Sequence, residues 1–225
     1  MFRIAIDGTA SAGKGSIAKL VAEKLNIAYI DTGAMYRTVA WIYQKNGFDI
    51  TNDQIALDII QKGSFRFFWE ANALHISFNG EDISSIIRSK EIGQISSVVS
   101  SHASIRSILS SIQKQYAQTQ SLVMDGRDIA TVIIPNAELK VFVDADVRTR
   151  AGRRHQELLQ KGQECSLEDI VFDLEQRDQR DRTREVAPLI QADDALLLDT
   201  THRNIQEGVD QVLRWVEERK GLGTL

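Results

Sequence analysis

One cysteine, Cys165, stands among 225 residues. A lone thiol can build neither an internal disulfide framework nor a cysteine-rich zinc site. Histidine is scarce as well. His75, His102, His155 and His202 are scattered, and none pairs at metal-ligand spacing. No apolar run approaches the roughly 18 residues of a membrane-span candidate. Residues 1 to 7 read as a strand leading into a loop, not as a secretory leader. A reducing cytoplasm is the expected setting. Positive charge is not in excess: 27 Lys and Arg against 31 Asp and Glu leave a formal net charge of −4. That balance recommends no nucleic-acid or membrane partner. Internal repeats, low-complexity linkers and an evident apolar helix seam are all missing, so a monomer is expected. The Asn/Thr-Lys-x-Asp signature of guanine readers is absent too.

What is present begins at the N-terminus. Phe2 to Ile6 form a short apolar run with the character of a buried strand. Gly8-x-x-x-x-Gly13-Lys14 follows, and then a helical pattern at Ile17, Leu20, Val21 and Leu25. Strand, glycine-rich turn and helix are the context a phosphate-binding loop requires. Small residues let backbone amides turn onto phosphate oxygens, and the helix N-terminus adds partial positive charge. Gly8, Thr9, Ala10, Ser11, Ala12, Gly13, Lys14, Gly15 and Ser16 are the candidate cradle, with Lys14 a point charge for the β- and γ-phosphates. The strict motif has Ser or Thr directly after the lysine. Here Gly15 intervenes, so Ser16 is expected to meet a phosphate oxygen rather than ligate Mg²⁺. No direct protein ligand for Mg²⁺ is assigned; the nucleotide and waters would hold it.

Length and a hydrophobic content of 43% suit one globular domain, with room for an inserted subdomain. Ile27 to Asp31 reads as a strand, and Thr32 as the cap of a helix running to about Lys45. Asn52 or Asp53 caps a further helix. Residues 65–69 and 74–78 have strand composition, with Glu70-Ala-Asn72 as the turn between them and Asn79-Gly80 as a second turn. Helical periodicity covers 89–118, broken near His102. Strands are expected at 121–125, 139–143 and 195–199, and helices at 146–162, 166–184 and 205–219. Lys161-Gly162 closes the first of these helices and Pro188 forbids continuation of the second. Alternating strands and helices predict a parallel sheet covered on both faces. Ligands bind such sheets beyond the carboxyl ends of the strands, where Asp7, Asp31, Asp125 and Asp128 fall.

Seventeen arginines occur, eight of them from Arg148 to Arg184. Such clustering in an acidic chain asks for a local anionic partner. Arg177, Asp181 and Arg184 share one helical face. Arg148, Arg150, Arg153 and Arg154 could form a lid that brings charge to a triphosphate. A solvated salt-bridge face is the rival explanation for both stretches.

Five segments, in this order, carry a resemblance: Gly8 to Ser16, Asp31-Thr-Gly-Ala-Met-Tyr-Arg37, Asn79-Gly-Glu-Asp-Ile-Ser84, Asp125-Gly-Arg-Asp128 and Arg177-x-x-x-Asp181-x-x-Arg184. Together they resemble the bacterial cytidylate kinases, within the P-loop nucleoside monophosphate kinases, over nearly the whole chain. The resemblance implies a three-layer α/β/α core with a five-stranded parallel sheet, a short lid, and an enlarged monophosphate-binding insert holding a small antiparallel sheet. The core would comprise 1–60, 119–145 and 186–225, the insert about 61–118 and the lid about 146–165. The implied reaction is ATP with CMP or dCMP giving ADP with CDP or dCDP. Arg37 and Arg127 would hold the acceptor phosphate. Arg177 and Arg184 would lie at the sugar and phosphates, with Asp181 at the ribose and Thr32 and Asp125 completing the acceptor site. Lys14, Arg153 and Arg184, with Arg150 as a further lid residue, would meet the developing charge. The chain departs from the usual pattern at Thr9, Ser11, Thr32 and Ala130. Ser11 matters most, because a side chain enters a loop that must approach phosphate closely.

Base choice has its own logic. Cytosine offers an N4 donor and wants an acceptor there, while its N3 wants a donor. Asp128 and Arg106 are of those types, and the resemblance places both at the base with Ser97 beside them. Two alternatives remain open: a P-loop kinase for another acceptor, such as UMP, AMP or shikimate, and an ATP-binding module without transfer activity.

Overall fold

A computed structural model describes residues 1–70, 73–160 and 162–222. Ala71 and Asn72 of the expected turn, and Lys161, lie outside the described residues. In chain order the elements are β1 (Arg3–Gly8), α1 (Lys14–Leu25), β2 (Ala28–Asp31), α2 (Thr32–Asn46), α3 (Gln54–Lys62), β3 (Phe65–Glu70), β4 (Ala73–Phe78), β5 (Glu81–Asp82), α4 (Lys90–Val99), α5 (Ala103–Thr119), β6 (Leu122–Asp125), β7 (Leu139–Asp144), α6 (Val147–Gln160), α7 (Leu167–Thr183), β8 (Leu196–Asp199) and α8 (Ile205–Leu222). A 3₁₀ turn at Ile86–Arg88 and a π-helical turn at Ile129–Ile133 complete the described set.

Five strands form a sheet in the order β2-β6-β1-β7-β8. β1 sits at the centre, parallel to β6 with Ile4 opposite Val123, and parallel to β7 with Ile6 opposite Val141. Strands buried on both faces need continuous apolar runs rather than alternation. Ile4, Ala5, Ile6, Leu122, Val123, Met124, Val141 and Val143 are all essentially inaccessible. With a glycine-rich loop after the central strand, this is the P-loop α/β architecture the sequence predicts. Each parallel strand also brings an aspartate to its carboxyl end: Asp7, Asp31, Asp125, Asp144 and Asp199.

The chain divides into two compact units, residues 1–29 with 117–225, and residues 30–116. In the first, α1 packs on α8 and α6 on α7. In the second, α2 is the hub, packing on α3, on the 3₁₀ turn and on α4. The second unit, starting at residue 30, thus takes in α2 and α3. A three-stranded antiparallel sheet, β3-β4-β5, belongs to it. The short third strand went unseen in the sequence because two exposed residues carry no pattern. Asp53 stands at the N-cap position of α3 as expected, but its carboxylate accepts from Tyr43, His102 and Ser104 rather than from the helix's own amides. Asn52 makes the turn ahead of α3, accepting from the Gln54 amide at 3.1 Å. No helix among the described residues is long and apolar enough to cross a membrane.

Ile92 on α4 is fully buried in the core of the second unit. Ile92→Ala is expected to cost about 2–5 kcal/mol through lost transfer energy and a residual cavity. At about 2–4 °C per kcal/mol for a chain of this size, thermal denaturation should show a midpoint lowered by roughly 5–15 °C. An unchanged midpoint would mean that α4 is not packed as described.

Candidate active site

The cradle starts with a close approach of two backbones. Gly8 has φ of 149°, and a Cβ there would lie 1.9 Å from the Val143 carbonyl oxygen. Only glycine passes. The loop continues through Ser11 at φ 60° and Gly13 at φ 89°, and α1 opens without a side-chain cap. Two of its amides are already engaged within the protein. Thr9 donates to the Val143 carbonyl at 3.3 Å, and Ala10 to Asp178 Oδ1 at 3.3 Å. Thr9 and Ala10 therefore shape the loop. The amides from Ser11 through the first turn of α1 are those placed to meet an anion. Lys14 is nearly buried, with Nζ donating to the Thr9 carbonyl at 3.2 Å. Burial first, and then the Arg127 charge, depress its pKa to about 7.

Beside it lies a set of paired charges. The buried stripe of α7 runs Ile170, Leu174, Asp178, Asp181, so the apolar face of the helix turns acidic in its last two turns. Asp181 accepts from Arg127 Nε at 2.7 Å. Arg184, just past α7, lies 3.6 Å from both Asp181 and Asp128, and its Nε donates to the Ala187 carbonyl at 2.6 Å. Burial alone would raise the Asp181 pKa. Arg127, Arg177 and Arg184 together hold it below the usual carboxylate range. Burial likewise opposes the Arg127 charge, and Asp181, Asp178 and Asp125 together more than offset this. So Lys14, Arg127, Asp128, Asp181 and Arg184, with Arg177 acting electrostatically on Lys14 and Asp181, form one cluster in the first unit.

Asp7 serves the fold locally. It accepts the Ile129 and Ala130 amides at 2.9 and 2.8 Å, which orders the turn carrying Asp128. Burial pushes it up to about 7 against those two bonds. Asp125 accepts from Tyr29 Oη at 2.8 Å, and its Oδ2 lies 3.6 Å from where a Cβ on Gly15 would stand. Ser16 is exposed on the same turn of α1, and a carboxylate and a hydroxyl are the donor types that a hard cation keeping most of its water accepts.

Not every lid arginine is free to move. Arg150 is buried, donating to the Ala10 and Ala145 carbonyls and pairing with Asp178, so it is an anchor. Its place about two turns ahead of Leu158 puts it on the buried stripe of α6. Arg153 binds the carbonyls of Thr200 and Arg203 and the Thr200 hydroxyl. Arg148 is exposed, and Arg154 pairs with Glu157 at 3.0 Å.

In the second unit, Asp31 rather than Thr32 caps α2. Its Oδ1 accepts from the Ala34 amide at 2.9 Å and its Oδ2 pairs with Arg37 at 2.9 Å. Thr32 is buried as the first helical residue. Arg106 is buried over the Tyr36 ring, with Nη1 donating to the Ser100 carbonyl at 3.1 Å. Ser97 is half-buried on α4. Arg37 lines a small cavity together with Arg88, His75 and Ser84. Arg88 and Asp178 carry no assignment in the sequence reading. For Asp178 the signal was available: it continues the spacing of Ile170 and Leu174.

A family model described as Cytidylate kinase matches residues 4–218. The cytidylate kinase of Geobacillus sp. (strain WCH70) is 41% identical over 219 residues, covering 97% of this chain and 98% of that one. The cytidylate kinase of Bacillus thuringiensis (strain Al Hakam) is 42% identical over 210 residues, covering 93% of each. Among solved structures, an uncharacterized protein from Eubacterium ventriosum ATCC 27560 is similar at a TM-score of 0.53 and 13% identity, over 96% of this chain and 99% of that one. That likeness concerns fold alone.

Two substitutions probe the cradle in opposite directions. Gly8→Ala drives a methyl group into the β7 backbone and should lower the thermal midpoint by about 10 °C or more. Ser11→Gly relieves a left-handed side-chain residue and should raise the midpoint by about 1–4 °C. A Gly8→Ala protein as stable as its parent, or a Ser11→Gly protein less stable, would contradict the loop geometry.

Proposed function

The chain belongs to the cytidylate kinase family, and on that premise we propose that it transfers the γ-phosphoryl group of ATP to CMP or dCMP, giving ADP with CDP or dCDP. The observation that carries the reading is the charge cluster of Lys14, Arg127, Asp181, Arg184 and Asp128 next to the glycine-rich loop. Phosphoryl transfer needs alignment and charge neutralisation far more than covalent chemistry. An acceptor phosphate oxygen is already anionic at neutral pH, so no general base is required.

ATP takes the amides from Ser11 to Ser16, with Lys14 at its β- and γ-phosphates. Arg37 and Arg127 take the acceptor phosphate, and Arg177 and Asp181 the sugar. Arg184 and Lys14 face the charge that develops in transfer, and a well-placed arginine at such a centre is worth about 10³–10⁵ in rate. Arg153 joins them by leaving its Thr200 and Arg203 carbonyls as the donor binds. Mg²⁺, held by the nucleotide with Asp125 and Ser16 near its waters, would neutralise the phosphate oxygens. Asp128 accepts from the cytosine N4 amino group and Arg106 donates to N3, with Ser97 beside them. The enzyme is taken to act as a monomer in the cytoplasm, without nucleic-acid or membrane partners.

Initial rates of ADP release at saturating MgATP test this directly. Uracil would set a carbonyl against Asp128, a mismatch of about 1–3 kcal/mol, so UMP should fall about ten- to a hundredfold below CMP and dCMP. AMP turned over as fast as CMP would point to another acceptor. ATP binding with no acceptor-dependent ADP release would point to a module without transfer activity. Asp128→Ala should raise the CMP KM about tenfold or more while ATP affinity holds. Lys14→Ala should abolish turnover with every acceptor. Loss of ATP binding in Asp128→Ala, with CMP unaffected, would invert the assignment.

A further inference from the structure

Two buried charges have no part in the reaction just described. Arg150 on α6 is 5% exposed and Asp178 on α7 is 8% exposed. Arg150 Nη1 and Asp178 Oδ2 pair at 2.5 Å. The same Nη1 donates to the Ala10 carbonyl at 3.1 Å, while Asp178 Oδ1 accepts the Ala10 amide at 3.3 Å. A second anchor fixes the guanidinium: Nε donates to the Ala145 carbonyl at 2.8 Å. One ion pair thus holds both backbone polar groups of a single cradle residue, in a closed ring.

The residue that follows is Ser11, in the left-handed region at φ 60°. Such a conformation persists only where the surroundings over-determine it. Its other neighbours are also pinned. Thr9 Oγ1 donates to Asp144 Oδ1 at 2.6 Å, and the Ala12 carbonyl accepts from the Thr200 hydroxyl at 2.9 Å. Buried ion pairs are poor devices for stability, because desolvation consumes most of the Coulomb gain, and apolar pairs of similar size often serve the fold as well. What an apolar pair cannot do is hold an N–H and a C=O in one fixed orientation.

We propose that Arg150 and Asp178 are positioning residues for the donor nucleotide. They fix the Ala10 peptide so that the amides from Ser11 onward already point at the phosphate site before ATP arrives. This rests on the assignment of the loop to ATP. The gain is one of preorganisation: without the ring, ATP binding must order the loop at the expense of its own affinity.

The test uses calorimetric ATP titrations without acceptor, alongside thermal melts and the CMP KM. Arg150→Met with Asp178→Leu removes the ring and leaves no buried charge. It should melt within a few degrees of wild type, bind ATP about tenfold or more weakly, and keep its CMP KM. In the Arg150→Met background, Asp178→Asn keeps an oxygen for the Ala10 amide and should bind ATP more tightly than Asp178→Leu at a similar melting midpoint, a rescue that a purely structural role would not produce. Wild-type ATP affinity in the double variant, or equal affinity in the two Asp178 variants, would overturn the proposal. Failure of the wild-type protein to bind ATP would overturn the functional assignment as well.

Discussion

Charge withdrawn from water is the constraint on which the first unit depends. Lys14, Asp125, Asp128, Arg150, Asp178 and Asp181 are each less than a tenth exposed. An isolated buried charge is costly, and only pairing with good geometry makes it tolerable. The structure answers with distributed pairing: Asp181 serves Arg127 and Arg184, Asp178 serves Arg150, and Asp7 takes two amides. Lys14 is the exception. Its Nζ meets a neutral carbonyl, and burial with the Arg127 charge outweighs the pull of Asp125 and Asp181. A polyanion would supply what is missing.

The strand-end aspartates restrain the loops that follow the strands. Parallel strands deliver successive loops to one edge, and each loop starts with an acceptor. Asp31 caps α2 and pairs with Arg37, Asp144 takes the Thr9 hydroxyl, and Asp199 takes the Thr201 amide. Loops restrained at their first residue present later residues in fixed directions, as preorganised binding of phosphate demands.

Much of this was legible in the sequence. Long periodic helices and apolar strands announced themselves: the strand read at 139–143 stands at Leu139–Asp144, and the helix read at 166–184 stands at Leu167–Thr183 with Ser166 as its cap. The glycine-rich loop was legible because its spacing encodes backbone geometry. What escaped depended on contacts distant in sequence. Asp53 reads as a helix cap, but its partners His102 and Ser104 arrive from α5 and its approach. Arg150 reads as one more lid cation, since nothing local shows that Asp178 and Ala10 wait for it. Thr32 and Asp31 are both good caps, and only geometry decides between them. The sites in the second unit, Arg37, Ser97 and Arg106, were assigned by resemblance, because an isolated arginine or serine on a helix carries no signal of its own.

The central claim is that Lys14, buried and held by a neutral carbonyl, gains its charge fully only when a triphosphate enters the cradle. Burial and Arg127 bring Lys14 to about 7. At pH 8 most molecules therefore hold it neutral, and a bound triphosphate restores its proton by favouring the charged form. Calorimetric titration of ATP at pH 8, in two buffers of different ionisation heat, measures that proton directly. The account expects uptake approaching one proton per ATP at pH 8, shrinking toward zero as pH falls below 6. Binding with no uptake at pH 8, or with proton release, would contradict it.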